Sequence, residues 1–119
     1  MSYSGPTLLT SGHTLAGFDC GKPALNNWLV RRALGNQSSG TSRTWVVVDV
    51  ATGRVVSFYA SATASVLRSN ATKRFGRNQL EELPAVLLAR MAVDTGHMGQ
   101  RLGAAMLKHF MTKAVAVAQ

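Results

Sequence analysis

The hydrophobic positions in the first third of the chain predict a short strand followed by one helix. A segment rich in serine, glycine and threonine contains the strand, at residues 7–10. Residues 23–34 then place apolar side chains at helical spacing, with a proline in the first turn. Arg31 and Arg32 lie near the end of this helix, where cations complement the helix dipole, and Gly35 is a suitable end.

The middle of the chain is rich in β-branched and aromatic residues and predicts an antiparallel hairpin. Residues 44–50 (TWVVVDV) form its first strand, 51–54 its tight turn and 55–65 its returning strand. Residues 68–83 have little apolar periodicity and carry several basic side chains. We therefore expect an exposed basic loop or a short helix there.

The last part of the chain predicts a strand, a loop and a helix. Residues 85–93 (AVLLARMAV) form a nearly continuous apolar run, which is typical of a strand buried on both faces. A loop with glycines follows at 95–101, and residues 102–118 place apolar side chains on one helical stripe. The order of elements indicates the α/β class, and the length indicates a single domain over residues 1–119.

The charge balance points to a polyanionic partner. The chain has 13 Lys+Arg against 5 Asp+Glu, a net charge of +8, which suits nucleic acid, an acidic protein or a phosphate-rich cofactor. The single cysteine and three scattered histidines give no disulfide framework and no metal spacing, so we expect no metal site. No segment has the roughly 18 consecutive apolar residues of a membrane span, and the polar N-terminus does not resemble a signal peptide. We expect a cytoplasmic protein that does not bind membranes.

The segment with the clearest chemistry is the glycine loop between the last strand and the last helix. Gly99 and Gly103 flank the point at which the helix begins. A helix N-terminus offers unpaired N–H groups and a positive dipole end, and glycine lets the backbone approach a ligand closely. This arrangement is typical of a phosphate site, although two glycines alone could equally make only a tight turn.

Several short motifs in order give a chain-wide resemblance. They are FDCG at 18–21, LNNWL at 25–29, QSSGTSRT at 37–44, GRVV at 53–56, RN at 77–78 and LLARMAVD at 87–94, followed by the glycine loop. The chain resembles the GCN5-related N-acetyltransferase superfamily, whose signature is Gln/Arg-x-x-Gly-x-Gly/Ala. It resembles in particular the toxin branch found in bacterial toxin–antitoxin pairs.

The resemblance implies a fold, a cofactor and a reaction. The fold is a mixed sheet with antiparallel N-terminal strands and a central strand–glycine loop–helix unit. The reaction is transfer of an acetyl group from acetyl-CoA to the amino group of an aminoacyl-tRNA, which stops translation. Backbone groups of Met91, Ala92 and Val93 would pair with the pantetheine arm. The pyrophosphate would be held by N–H groups of Met98, Gly99, Gln100, Arg101, Leu102, Gly103 and Ala104.

The resemblance also gives the basic residues a role and implies partners. A tRNA acceptor requires positive surface. The candidates are Arg31, Arg32, Arg68, Lys73, Arg74 and Arg77, and for each of them an ordinary solvated charge is the alternative. A cognate antitoxin and a homodimer are the expected protein partners.

The glycine loop departs from the family signature. Aligned without gaps, Met98 stands where Gln or Arg is usual and Arg101 where the middle glycine is usual. A register shifted to residues 100–105 satisfies the signature but lengthens the loop by two residues. Gly103 is a signature position in both registers.

A second departure concerns the C-terminus. The chain ends at Gln119, so the resemblance implies that the C-terminal strands are lacking, together with the tyrosine that protonates the departing thiolate in related toxins. Neither Tyr3 nor Tyr59 matches that tyrosine, so the sequence assigns no catalytic residue. Two alternatives stay open: a truncated, non-catalytic remnant that binds an antitoxin or RNA, and an acetyltransferase for protein or small-molecule amines.

Overall fold

A computed structural model of the protein describes residues 2–69 and 80–118. Four strands form one sheet in the order β1-β2-β3-β4, and each neighbouring pair is antiparallel. The strands are β1 (Tyr3–Leu8), β2 (Arg43–Asp49), β3 (Val55–Ser69) and β4 (Leu80–Val93). The predicted α/β class and element order are confirmed, and the described strands correspond to the antiparallel part of the expected mixed sheet.

Three helices cover the two faces of this sheet. They are α1 (Pro23–Arg31), α2 (Ala33–Ser38) and α3 (Leu102–Ala118). On the α1 side, Phe58 packs edge-on against Phe18 at 5.6 Å between ring centroids and stacks on Trp28 at 5.9 Å. On the α3 side, Leu102 and Met106 are buried against the sheet. No helix within the described residues, 2–69 and 80–118, is long and apolar enough to cross a membrane.

The predicted single helix at 23–34 is wrong, because the chain forms two helices there. Helix α1 ends at Arg31, and Arg32, at φ −118° and ψ −29°, separates it from α2. Helix α2 then begins with Ala33, which is fully buried, and Gly35 lies inside α2 rather than ending a helix. The side chain of Gln37 fixes α2 to the sheet, since it donates to the carbonyl of Leu9 at 2.8 Å and accepts from the N–H of Thr44 at 3.0 Å.

The predicted strand at 7–10 forms earlier, as β1, and the strand at 44–50 is confirmed within one residue as β2. The predicted loop at 68–83 is wrong at both ends. Arg68 belongs to β3, which continues to Ser69, and residues 80–83 belong to β4. Lys73, Arg74 and Arg77 lie outside the described residues.

The expectation that residues 85–93 are buried on both faces is wrong. Strand β4 is at the edge of the described sheet, paired only with β3 among the described strands. Leu87 and Met91 are 48% and 37% exposed, and Ala92 is buried. The apolar run therefore belongs to a partly covered strand at the edge of the described sheet.

A β-bulge changes which way β4 presents its side chains. Arg90 pairs with Ala60 and Leu88 with Ser61, so Ala89 is an extra residue on β4. Arg90 lies on the α1 side, over Trp28, whereas Leu88 packs on the α3 side. Without the bulge, Leu88 and Arg90 would share a face, because side chains alternate along a strand.

The packing of α3 can be tested with two of its methionines. Met106 is completely buried and Met111 is 58% exposed. We expect Met106→Ala to lower the free energy of unfolding by about 2–5 kcal/mol, because it leaves a cavity in the core. Met111→Ala should change it by about 0.5 kcal/mol or less. Urea unfolding of both variants measures this, and equal losses would contradict the observed orientation of α3.

Candidate functional site

A groove of about 540 Å³ lies between the end of β4 and the beginning of α3. Its walls are Met91, Ala92, Val93, His97, Met98, Gly99, Arg101, Leu102 and Gly103. These include every predicted cofactor-binding residue except Gln100 and Ala104. Gln100 is exposed in the loop, and Ala104 faces a different surface depression on α3 beside Leu107 and Met111.

The groove has the physical properties of an anion site. Among the described residues, no acidic side chain lines it, and the first turn of α3 contains none. A Cβ atom built on Gly99 or Gly103 would meet no heavy atom within 4 Å, so there is open space at both positions. The helix N-terminus contributes N–H donors and the positive end of the dipole. A phosphate group fits these donors, the open space and the absence of negative charge.

The backbone of Arg101 agrees with the ungapped register of the signature. Its φ is +60°, the left-handed region that favours glycine, and no other described non-glycine residue has a positive φ. Its carbonyl accepts from the N–H of Ala105 at 3.1 Å, so Arg101 is the residue from which α3 begins. A residue that stands in place of the middle glycine thus adopts the conformation that glycine would adopt.

Asp94 fixes the beginning of the loop. One carboxylate oxygen, Oδ1, accepts from the N–H of Gly96 at 2.9 Å, and the other, Oδ2, accepts from the N–H of Asp19 at 2.9 Å. The carbonyl of Asp19 accepts in turn from the N–H of Thr95 at 2.8 Å. Arg54 places its guanidinium 3.9 Å from Oδ2. The sequence analysis names Asp94 only as the end of a motif and gives it no role, although an aspartate two positions before a glycine is a signal for such a turn.

The FDCG motif joins this network to the start of α1. The side chain of Asp19 accepts from the N–H of Gly21 at 2.8 Å and from the amide of Asn26 at 3.0 Å. These hydrogen bonds lower the pKa of Asp19. The carbonyl oxygen of the Asn26 side chain also accepts from the N–H of Cys20 at 2.9 Å. The motif therefore ties α1 to the loop that forms the groove.

Tyr3, in β1, contacts His97 in the wall of the groove. Its hydroxyl lies 2.9 Å from Nδ1 of His97, and the two rings meet edge to face at 5.7 Å between centroids. Partial burial, with a smaller contribution from Asp49, raises the pKa of Tyr3, so the phenol keeps its proton at neutral pH. This contact was not predicted from the sequence.

The second tyrosine belongs to the other end of α3. Tyr59 is completely buried, and its hydroxyl forms a hydrogen bond with Nδ1 of His109. Burial raises the pKa of Tyr59 to about 12 and lowers that of His109, with a smaller contribution from Lys113. Tyr59 is not among the residues that line the groove.

The basic candidates that the structure describes lie in two places. Arg31 and Arg32 are exposed where α1 meets α2. Arg68 lies in β3, opposite Glu81 in the strand register. A further cation was missed by the sequence reasoning: Arg90 is exposed, and its guanidinium lies 4.8 Å from the centre of the Trp28 ring, immediately before the groove residues of β4.

Comparison with known proteins identifies the family. No model of a known protein family matches the chain. The chain is 37% identical over 116 residues to a tRNA-acetylating toxin of Mycobacterium tuberculosis, covering 98% of this chain and 69% of that protein. The chain belongs to the acetyltransferase toxin family. The resemblance to the toxin branch of the GCN5-related N-acetyltransferases is thereby confirmed.

Solved structures of related toxins share the fold. The crystal structure of AtaTR bound with acetyl-CoA has a TM-score of 0.80 at 22% identity, covering 98% of this chain and 69% of the other. AtaT complexed with acetyl-methionyl-tRNAfMet has a TM-score of 0.74 at 23% identity, covering 98% of this chain and 72% of the other. These similarities confirm the predicted fold class. Among the described residues, no three His, Cys, Asp or Glu side chains are grouped as they would be around a metal ion.

The role of Asp94 can be separated from a general effect on stability by comparison with Asp49. Both carboxylates are 7% exposed and accept from the backbone N–H two residues later, but Asp49 caps the β2–β3 turn. We expect Asp94→Asn and Asp49→Asn each to lower the free energy of unfolding by about 1–3 kcal/mol, because each weakens hydrogen bonds to a buried charge. Only Asp94→Asn should accelerate amide hydrogen exchange in residues 95–101. Equal exchange in the two variants would contradict a specific role of Asp94 in the loop.

Proposed function

We propose that this protein is an acetyl-CoA-dependent N-acetyltransferase that acts on the amino group of an aminoacyl-tRNA and so blocks translation. The observation that carries this proposal is the groove at the end of β4, whose open, non-acidic walls suit a phosphate-bearing cofactor. The chain belongs to a family with a tRNA-acetylating member, which supports the choice of reaction. Residues 1–119 would belong to a single, incomplete acetyltransferase domain that works in the cytoplasm.

The residues of the groove would bind acetyl-CoA in two parts. Acetyl-CoA supplies an acetyl group activated as a thioester. The outer edge of β4 at Met91, Ala92 and Val93 has no strand partner among the described residues, so its free backbone groups can pair with an extended, amide-containing arm. The N–H groups of the loop and of the first turn of α3, from Met98 to Ala104, would bind the pyrophosphate.

Catalysis by these groups would consist of positioning. A thioester held along the edge of a rigid strand presents one face to the incoming amine, and such orientation supplies much of the rate of a transfer reaction. The bulge at Ala89 lies shortly before Met91 in β4. It interrupts the regular backbone pairing of β4 with β3. No general acid is assigned among the described side chains.

The acceptor would be bound by positive surface on the α1 side. Arg31 and Arg32 are exposed there, and Arg90 lies on the same side of the sheet, next to Met91. The net charge of +8 favours a polyanion, and phosphate contacts are the main source of affinity for nucleic acids. The other proposed contacts are Arg68, Lys73, Arg74 and Arg77. An antitoxin that neutralises the protein and a second copy of the chain are the proposed protein partners.

The cofactor site can be tested by filling the groove. A tryptophan at Gly103 would occupy the open space beside the loop, so Gly103→Trp should abolish binding of acetyl-CoA in calorimetry. Gly35→Trp is the matched control, because Gly35 is also a helical glycine with nothing within 4 Å but lies in α2. Binding by the folded Gly103→Trp variant, or loss of binding in both variants, would contradict the proposed site.

Acetyl transfer can be tested with purified protein, acetyl-CoA and a panel of charged tRNAs. We expect N-acetylated aminoacyl-tRNA, detected by mass spectrometry. Arg31→Gln should raise the KM for tRNA about 3- to 10-fold and reduce its salt dependence, because one phosphate contact is lost. Lys108→Gln, on the outer surface of α3, should leave both unchanged.

The alternative of a non-catalytic protein predicts a different result in the same assay. The protein would then bind RNA or an antitoxin but acetylate none of the charged tRNAs. Acetylation of a protein or small-molecule amine, with all tRNAs left unmodified, would support the alternative of an acetyltransferase for such amines.

A further inference from the structure

We infer that His97 donates a hydrogen bond from Nε2 to the pyrophosphate of the bound cofactor, and that Tyr3 is the positioning residue that holds His97 in this donating form. The inference rests on the proposed use of acetyl-CoA and adds a side-chain donor to the backbone donors of the loop. It gives a function to a contact between the first strand and the groove that the rest of the site does not require.

The position of His97 is fixed from two directions. Its backbone N–H donates to the carbonyl of Asp94 at 2.9 Å, within the single 3-10 turn Thr95–His97. Its ring is half-buried in the wall of the groove, next to Met98 and Gly99. Tyr3 holds the other side of the ring through the 2.9 Å hydrogen bond and the edge-to-face contact at 76° between ring planes. The imidazole is therefore oriented before any ligand binds.

The hydrogen bond with Tyr3 determines which ring nitrogen carries the proton. A phenol is a much stronger acid than the N–H of a neutral imidazole, so Tyr3 is the donor and Nδ1 of His97 the acceptor. The proton of the neutral ring then resides on Nε2. Within residues 2–69 and 80–118, Nε2 of His97 has no hydrogen-bond partner. His97 consequently keeps one N–H donor for a ligand in the groove.

The surroundings of His97 favour an anionic acceptor over a neutral one. None of the described residues that line the groove has a carboxylate that could compete for the N–H, and Arg101 adds a positive charge. The pyrophosphate is the anion that the loop N–H groups would bind, and His97 lies at the beginning of that loop. Hydrogen bonds to charged oxygens are shorter and stronger than neutral ones, which makes one donor at this position measurable.

The experiment compares acetyl-CoA with acetyl-pantetheine, which has the same thioester arm but no phosphate. We expect His97→Phe to raise the Kd for acetyl-CoA about 10- to 100-fold, because it keeps a ring but loses the donor. His97→Gln, whose amide places an N–H near the position of Nε2, should remain within about threefold of the unmodified protein. Both variants should bind acetyl-pantetheine like the unmodified protein.

The role of Tyr3 requires a separate readout. In the unmodified protein, the nitrogen chemical shifts of His97 should show the form protonated at Nε2. Tyr3→Phe should give a mixture of the two neutral forms and a smaller, about 3- to 10-fold, rise in the Kd for acetyl-CoA. A purely structural role of Tyr3 would change the affinities for acetyl-CoA and acetyl-pantetheine equally, and that result would overturn the inference.

Further outcomes distinguish this inference from the proposed function. If His97→Phe binds acetyl-CoA as tightly as the unmodified protein, the inference fails and the cofactor site stands. If the loss of affinity disappears with 3′-dephospho-acetyl-CoA, the contact is with the 3′-phosphate and the assignment to pyrophosphate is wrong. If the unmodified protein binds no acetyl-CoA, it is the proposed function that fails.

Discussion

The carboxylate of Asp94 is the interaction on which the candidate site depends. It accepts hydrogen bonds from the backbone N–H groups of Asp19 and Gly96, which are far apart in the sequence. Through Asp19 and Asn26 the same network reaches the start of α1. Each hydrogen bond to a buried charge contributes about 1.5–3 kcal/mol, which is a substantial part of the about 5–15 kcal/mol by which native proteins are stable. The end of β4, the glycine loop and α1 consequently form one unit.

The two faces of the sheet carry different features around this unit. The α3 side supplies the groove, its glycines and the Tyr3–His97 pair. The α1 side holds an aromatic core around Phe58 and presents Arg90 over Trp28. Strand β4 contributes to both faces, and its bulge places Leu88 on the α3 side and Arg90 on the α1 side. In the proposed function, a cofactor on the α3 side and an acceptor on the α1 side would meet at the edge of this strand.

The local elements of the fold follow from the sequence, whereas the long-range contacts do not. The sequence pattern predicts helix α3 and strand β2, and the glycines of the loop between β4 and α3 are visible in the sequence itself. The break at Arg32 was not predicted, because the spacing of apolar residues continues past it and does not show that Ala33 is buried at the start of a second helix. The apolar run of β4 hides its bulge, which is a property of pairing with β3. Tyr3 and His97 are 94 residues apart, and no local sequence pattern predicts their contact.

The left-handed backbone of Arg101 has a consequence for how this loop can change. In this conformation, a residue with a side chain is less stable than glycine by about 1 kcal/mol, so glycine at position 101 would stabilise the fold. Arginine at this position adds a permanent cation to the wall of the groove. Selection for thermal stability and selection for anion affinity therefore act in opposite directions on one codon. A laboratory evolution experiment that rewards only heat resistance would drive this loop towards the glycine of the family signature.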